Sequence, residues 1–198
     1  MIHAVILAGG RGSRLGGCDK PLLPYGRGTL LDTILERLSP QVSTIALAIR
    51  GDQTAYSGYD LPALKDVWTD QGPLIGLLSA LEWGRSMGAR EVLTLPGDTP
   101  FIPMDLVSRL SPGPSCAMSG GRRHPLVAVW PIASLSLLRE YLVSAHACGD
   151  PRLLAVWRFA EKIGMRDVSF EDQPEDPFFN INTPADVATL NLRSHPIG

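Results

Sequence analysis

The sequence has few cysteines, no excess of basic residues and no long apolar run at its start. Its three cysteines, Cys18, Cys116 and Cys148, are far apart and lack the spacing of metal ligands or of a disulfide framework. We therefore expect reduced thiols in a cytoplasmic protein. The formal net charge of -2 argues against a general nucleic-acid coat but leaves room for one nucleotide in a local basic pocket. The first apolar run, "AVILA", is about five residues long, so we expect neither a signal peptide nor a membrane span.

The composition is that of a soluble globular protein, because the 198 residues are 44% hydrophobic and 19% charged. This length predicts one domain, residues 1–198, with a sizeable core. Short apolar segments such as "HAVILA", "TIALAI" and "EVLTL" predict buried strands. Helical patterns lie between them, in "TLLDTILERL" with Thr29 as N-cap and in the segment that Pro73 opens. The alternation predicts a three-layer α/β/α fold, in which helices cover both faces of a mostly parallel sheet.

Further elements are predicted in the second half of the chain. "SCAMS" and "HPLVAVW" are typical of strands, and "SLSLLREYL" is typical of a helix. "PMDLVSRL" predicts a short helix that starts at Pro103, and "PRLLAVWRFAEKIG" predicts one helix from Pro151 that ends before Gly164. A final helix, "TPADVATLNL", has Thr183 as its N-cap. The acidic stretch 171–176 between these last two helices predicts a solvated loop.

Parallel sheets of this kind bind ligands beyond the carboxyl ends of their strands. We therefore expect function in loops that directly follow strands: residues 9–20, 66–72 and 97–103. Each of these loops carries glycine, proline or charged residues where the chain leaves the sheet.

The first loop, within "LAGGRGSRLGGCDK", combines five glycines with basic side chains, among them Arg14 and Lys20. Glycine lets backbone amides approach a phosphate closely, and the cations add charge-assisted hydrogen bonds. The loop differs from a Walker P-loop because Pro21 follows Lys20, and from the dinucleotide fingerprint because Leu15 stands where that motif needs glycine. We interpret it as a phosphate-binding loop of another type, with a flexible surface loop as the alternative.

A second segment, "LTLPGDTPFIP", places Asp98 just beyond a buried strand, between Pro96 and Pro100. A carboxylate held there suits Mg²⁺, which takes few protein oxygens together with phosphate oxygens. The alternative is that Asp98 caps a turn, a common role of aspartate between prolines. A phosphate-binding loop in the same chain favours the interpretation as a metal ligand.

The segment "GPLIGLLSAL" places Gly72 and Pro73 at the start of a helix, whose N-terminus would favour an anion. An ordinary turn into a core helix is the alternative. Gly76 weakens this helix, and close approach by a ligand or a strand would account for it.

Two more segments carry candidates for a second substrate. In "GGRRHPLVAVW", Arg122, Arg123 and His124 precede a strand and could bind a phosphate-bearing substrate. A structural or solvated histidine is an equal alternative for His124. In "FFNINTPADV", Asn180 and Asn182 flank one residue and so point to the same side of an extended chain, which suits a polar ligand. Turn and cap chemistry is the alternative for both asparagines.

Taken together, these segments resemble the molybdenum cofactor guanylyltransferases, within the nucleotidyltransferase superfamily. The family's opening pattern, LAGG-x-x-x-R-(M/L)-GG-x-DK, is matched in full by "LAGGRGSRLGGCDK". "GPLIG", "DTPF", "RRHPL" and "NINTPADV" match later family segments in the same order, so the resemblance covers nearly the whole chain. It implies a Rossmann-like nucleotidyltransferase sheet, GTP and molybdopterin or molybdenum-molybdopterin as substrates, Mg²⁺ as cofactor, and transient contact with other proteins of cofactor biosynthesis.

The resemblance also implies roles for individual residues, position by position. The residues expected to bind the nucleotide are Leu7, Ala8, Gly9, Gly10, Lys20, Asp66 and Asp98. Those expected to act in catalysis are Arg14, Lys20 and Asp98, with Asp98 as the metal ligand. Those expected near the pterin substrate are Arg122, His124, Asn180 and Asn182.

This sequence departs from the family pattern at two places. The family often has Cys-Asp at the magnesium loop, where this chain has Gly97 and Asp98. The family also often has a nucleotide-contacting asparagine at the end of the second strand, whereas the matching "IALAIRGD" has none. This second departure leaves the choice between guanine and cytosine open, so a cytidylyltransferase for the same pterin is an alternative. A sugar-phosphate nucleotidyltransferase is a related alternative. A non-catalytic nucleotide-binding relative is another, although the presence of Lys20 and Asp98 argues against it.

Overall fold

The structure is a computed structural model that describes residues 2–8, 19–50, 53–65, 72–171, 176–181 and 186. Five of the expected site residues lie outside this part of the chain: Gly9, Gly10, Arg14, Asp66 and Asn182. Most of the final predicted helix also lies outside it. No helix within these ranges is both long and apolar enough to cross a membrane.

Two sheets are formed by the described residues. The strands are β1 (His3–Ala8), β2 (Pro24–Tyr25), β3 (Gly28–Thr29), β4 (Thr44–Ile49), β5 (Ala63–Lys65), β6 (Glu91–Pro96), β7 (Ser115–Ser119), β8 (Arg122–Pro131) and β9 (Arg166–Ser169). Strands β2 and β3 form a small hairpin, and the other seven form a sheet in the order β5-β4-β1-β6-β8-β7-β9. Only β8 runs against the other six strands of this sheet. The mostly parallel sheet is confirmed.

Helices cover both faces of the large sheet. They are α1 (Leu30–Leu38), α2 (Pro73–Ser86), α3 (Leu106–Leu110), α4 (Leu135–Cys148) and α5 (Val156–Lys162). Helices α1 and α3 pack with Ile6 of β1 in one apolar cluster. Helices α2, α4 and α5 pack with the neighbouring Val5 in a second cluster, because successive strand residues point to opposite faces. The three-layer α/β/α arrangement is confirmed.

The order of strands creates a crevice beside β1. The chain leaves β1 through α1 on one face to reach β4, and it later passes through α2 on the other face to reach β6. Strands β4 and β6 lie on opposite sides of β1, so the direction of winding reverses there. Such a switch point leaves a crevice beyond the carboxyl ends of the strands, where ligands bind in open α/β sheets.

Local chemistry fixes the start of α1 as predicted. Thr29 is the N-cap: its hydroxyl accepts a hydrogen bond from the Asp32 backbone N–H at 3.1 Å. The Asp32 carboxylate in turn accepts from the Thr29 backbone N–H at 2.7 Å. This reciprocal pair satisfies two backbone donors that a helix start otherwise leaves open.

Two predicted helix boundaries are wrong. Helix α3 begins at Leu106 rather than at Pro103, because residues 103–105 form a turn. The segment predicted as one helix from Pro151 is a 3₁₀ turn, Pro151–Leu154, followed by α5. Ala155 between them is extended, with φ -73° and ψ 128°, which separates the two helical pieces.

Strand β9 was not predicted from the pattern. It pairs with β7 at the edge of the sheet, and three of its four residues are exposed. An edge strand with so little buried surface has neither an apolar run nor an alternating pattern that sequence reading could detect.

Candidate functional site

A cleft of about 260 Å³ lies at the carboxyl ends of the central parallel strands. Leu7 and Ala8 of β1, Ala48 of β4 and Pro96 of β6 form its floor. Pro73, at the start of α2, forms part of its wall. The cleft thus occupies the crevice that the strand order creates, and the loops after β1 and β6 both reach it.

Lys20 and Asp98 meet in this cleft. The Lys20 Nζ donates to Asp98 Oδ2 at 3.0 Å, although 78 positions separate the two residues. Their side chains are 19% and 18% exposed, so the pair is shielded but still open to a ligand. Within the described part of the chain, Asp98 lines the cleft and its Oδ1 accepts no hydrogen bond, so this oxygen is open to a ligand. The structure therefore brings the ends of both predicted loops into one site.

Backbone hydrogen bonds hold Asp98 in position. The N–H of the preceding Gly97 donates to the Leu7 carbonyl at 3.1 Å, which ties the loop to the end of β1. On the other side, the Asp98 carbonyl accepts from the Ile181 N–H at 2.9 Å. The Asp98 loop is thus fixed to two separate segments of the chain.

Gly97 is required by the close approach of Pro21. A Cβ added at Gly97 would lie 2.6 Å from Pro21 Cγ and 3.3 Å from the Leu7 carbonyl oxygen. A proline ring has little freedom to move away, so no larger residue fits without displacing the backbone. The glycine therefore lets the loop after β6 pack directly on the residue that follows Lys20.

We expect Gly97→Ala to destabilise the protein by about 1–3 kcal/mol, through overpacking against Pro21. Urea unfolding measures the change. Gly58→Ala is the matched control, because a Cβ at exposed Gly58 meets nothing within 4 Å. Equal stability of the two variants would contradict the packing argument.

Gly76 has a comparable explanation. A Cβ at this position in α2 would lie 3.1 Å from Leu7 Cδ2, so glycine lets α2 approach β1 without a shift of the Leu7 side chain. Approach by a strand, one of the two explanations offered by the sequence, is therefore what the structure shows.

Asn180 also lines the cleft and contacts the Asp98 loop. Its Oδ1 accepts a hydrogen bond from the Thr99 hydroxyl at 3.0 Å. Thr99 is fully buried, so this contact links the segment 176–181 rigidly to the loop after β6. Of the four residues expected near the pterin, Asn180 is the one that lines the cleft in the described part of the chain.

Arg122 and His124 lie away from the cleft lining. In β8, Ala128 pairs with Cys116, but the next residue of β7, Ala117, pairs with His124. Residues 125–127 therefore have no partner on β7, where Pro125 supplies no N–H to the ladder. The irregularity turns His124 toward the face covered by α1 and α3, although Leu126 of the same strand lines the cleft.

His124 belongs to a hydrogen-bonded chain that anchors the segment 176–181. The Ser119 hydroxyl donates to Asp176 Oδ1 at 2.7 Å, so His124 Nε2, 2.9 Å away, must donate to Ser119. Asp176 Oδ1 also accepts from the Phe178 N–H at 2.9 Å. Asp176, at the end of the stretch predicted to be solvated, is therefore bound to the sheet.

Burial lowers the pKa of His124, and the nearby Asp176 carboxylate only partly opposes this effect. Its ring packs against Phe178 with the ring centroids 5.1 Å apart. The folded protein thus holds this histidine neutral over part of the range in which an unfolded chain would protonate it.

We expect this histidine to make stability depend on pH. Since its pKa is lower in the folded state, the unfolded chain binds more protons as the pH falls below the ordinary value of 6.5. The free energy of unfolding should therefore decrease on acidification, and His124→Gln should remove this contribution. Urea unfolding at about pH 7.5 and about pH 5.5 gives the change of unfolding free energy with pH for the parent protein and for the variant. If the variant showed the same pH dependence as the parent protein, His124 would not be its source.

Arg50 lines the cleft but was missed by sequence reasoning. It is the first residue after β4, on the side of β1 opposite to β6. The rule that ligands bind beyond strand ends applies to it as well as to the loops after β1 and β6. Its position immediately after the apolar segment "TIALAI" was therefore the signal that could have found it.

The described residues contain no group of three or more His, Cys, Asp or Glu that could hold a metal ion by themselves. Among the described residues that line the cleft, Asp98 is the one carboxylate. One protein carboxylate is typical of Mg²⁺ that is also bound by substrate phosphates. The open Oδ1 of Asp98 fits that role.

Comparison with solved structures identifies the fold. The structure matches molybdopterin-guanine dinucleotide biosynthesis protein A from Archaeoglobus fulgidus with a TM-score of 0.72 at 20% identity, covering 98% of both chains. It also matches 4-diphosphocytidyl-2C-methyl-D-erythritol synthase from Anaerococcus prevotii with a TM-score of 0.65 at 17% identity, covering 98% of both chains. The fold is that of the nucleotidyltransferases.

Sequence comparison then gives the particular family. Residues 4–159 match the family model described as "MobA-like NTP transferase domain". The molybdenum cofactor guanylyltransferase of Acidiphilium cryptum (strain JF-5) is 44% identical over 187 residues, which cover 94% of this chain and 92% of that protein. That of Mesorhizobium japonicum is 43% identical over 199 aligned residues, covering 94% and 93%. This chain belongs to the molybdenum cofactor guanylyltransferase family, as its motifs indicated.

Proposed function

We propose that this protein transfers GMP from GTP to the terminal phosphate of molybdopterin, forming the guanine dinucleotide and releasing pyrophosphate. The observation that carries the proposal is the Lys20–Asp98 pair in a cleft at the carboxyl ends of β1 and β6. The full-length relatives named as guanylyltransferases support the choice of substrates.

The reaction forms one P–O bond and breaks another. A terminal oxygen of the pterin phosphate attacks the α-phosphorus of GTP, and the bond from that phosphorus to the bridging oxygen of the β-phosphate breaks. The nucleophile is already ionised at neutral pH, so no general base is needed. Catalysis then depends on positioning and on neutralisation of charge, as in phosphoryl transfer generally.

The charged residues have separate roles in this scheme. Among the described residues, Lys20 is the cation that pairs with Asp98. It stabilises the negative charge that develops on the departing pyrophosphate. Arg14 is proposed to assist from the glycine-rich loop. Asp98 would hold Mg²⁺ through its open oxygen, and bound Mg²⁺ neutralises phosphate charge. Asn180 is proposed to orient the pterin phosphate, since it lines the cleft beside the Asp98 loop.

Competition between nucleotides tests the proposal. Pyrophosphate release is measured with the pterin, Mg²⁺ and either GTP or CTP, and then with both together. Release with GTP that CTP barely inhibits is expected. Preference for CTP would indicate a cytidylyltransferase, and tight GTP binding without release would indicate a non-catalytic relative. Either result would overturn the proposal.

A further inference from the structure

Arg50 lines the cleft and pairs with no other side chain among the described residues. The residue is partly buried and directly follows β4. Its guanidinium forms no hydrogen bond or ion pair with the rest of the described chain, unlike that of Arg123, which binds Asp167. A partly buried guanidinium left in this state has its donors available for a ligand.

The strand order places Arg50 and Asp98 on opposite sides of β1. Strand β1 separates β4, which Arg50 follows, from β6, which precedes Asp98. Neighbouring strands lie about 4.8 Å apart, so the ends of β4 and β6 are separated by roughly 10 Å. Because the reacting phosphate must lie at Lys20 and Asp98, the rest of the nucleotide is directed toward Arg50 or away from the sheet.

The surroundings of Arg50 suit a base. Ala48, two residues earlier on the same strand, lines the cleft with a small apolar side chain that is 4% exposed. Leu7 and Pro73 add further apolar surface. A base can pack on these side chains while its edge reaches the guanidinium, which is the arrangement of most small-molecule sites: an apolar lining with a few polar groups that fix orientation.

We propose that Arg50 recognises the guanine base of GTP, donating hydrogen bonds to O6 and N7. Guanine presents two acceptors on that edge, which match the fork of a guanidinium. Adenine presents an amino group in place of O6, and cytosine has an amino group at C4, so neither offers this pair of acceptors. The inference deepens the proposed function and rests on GTP being the substrate.

Binding of nucleotides without the pterin tests this role. Calorimetry with Mg²⁺ gives the Kd of GTP, of 7-deaza-GTP, which lacks the N7 acceptor, and of CTP. We expect Arg50→Ala to weaken GTP binding by roughly 10- to 100-fold, with a smaller effect on 7-deaza-GTP and none on CTP. Arg50→Lys keeps the charge but loses the fork, so it should bind GTP nearly as weakly as Arg50→Ala.

Controls separate base recognition from a charge effect. Arg90→Ala removes an exposed cation that is outside the cleft lining and should leave all three Kd values unchanged. If Arg50→Ala weakens all three nucleotides equally, or if Arg50→Lys restores GTP binding, the residue contacts phosphate and the inference is wrong. The same conclusion follows if Arg50→Ala binds GTP as the parent protein does.

The inference and the proposed function fail in different ways. A parent protein that prefers GTP, combined with an Arg50→Ala variant that keeps this preference, overturns only the role of Arg50. A parent protein that binds CTP more tightly than GTP overturns both. Thermal unfolding of each variant, monitored by circular dichroism, shows whether the fold is retained. If a variant does not fold, the parent protein tests the inference: it should bind GTP more tightly than 7-deaza-GTP, and equal binding would overturn the role of Arg50.

Discussion

Asp98→Asn is expected to lower kcat by about 10²–10³-fold, the loss typical of removing one charged or hydrogen-bonding group from a transition state. The amide keeps the shape of the side chain but removes its negative charge. The amide would hold Mg²⁺ less well than the carboxylate, and it weakens the contact that orients Lys20. Pyrophosphate release at saturating GTP and pterin measures the change.

A second carboxylate provides the control for this substitution. Asp105 lies in the turn before α3, is exposed, and pairs only loosely with Arg109 at 3.8 Å. Asp105→Asn removes the same charge from the protein and should leave kcat unchanged. If Asp98→Asn retained full activity with excess Mg²⁺, Asp98 would not be the metal ligand.

Lys20→Met should lower kcat by a similar factor, on the order of 10²–10³, because no other cation among the described residues pairs with Asp98. The loss should fall on kcat more than on the KM for GTP, since the charge on pyrophosphate develops during the reaction. Lys162→Met, which removes an exposed cation at the end of α5, is the matched control. A change in KM alone would mean that Lys20 contributes only to ground-state binding.

The two substitutions should not be additive. Lys20 and Asp98 contact each other, and both are proposed to act on the same triphosphate. Once one of them is lost, the other contributes less to the rate, as is common for catalytic groups that work as a unit. The double variant should therefore be only slightly slower than the slower single variant. Losses that multiply would show that the two residues act independently.

The central strands could be predicted because their sequences contain little besides apolar residues. Strands β1, β4 and β6 are buried between two helical layers, and burial on both faces produces continuous apolar runs. The start of α1 was predictable from Thr29, because a capping side chain acts on the backbone within one turn. The start of α5 was not predictable, since no residue pattern marks the extended Ala155 that separates it from the preceding 3₁₀ turn.

The site was predictable only in part. Lys20 and Asp98 stand in sequence patterns that indicate phosphate and metal, and the structure brings their side chains together. Arg50 stands in no such pattern. Its position directly after a buried strand was the only sign in the sequence, and the structure shows that it lines the cleft. His124 is similar: its hydrogen-bond chain ends on Asp176, 52 positions further along, at a contact that only the folded chain creates.

The contact between Gly97 and Pro21 means that these two positions share one fixed volume. A side chain at residue 97 can exist only if residue 21 gives up the space that its ring now fills. Proteins of this fold that carry cysteine before the aspartate should therefore carry a residue smaller than proline at the position of Pro21. Each position therefore limits which residues the other can accept. A larger residue at position 97 together with a smaller one at position 21 would change both loops while the distance between Lys20 and Asp98 is kept.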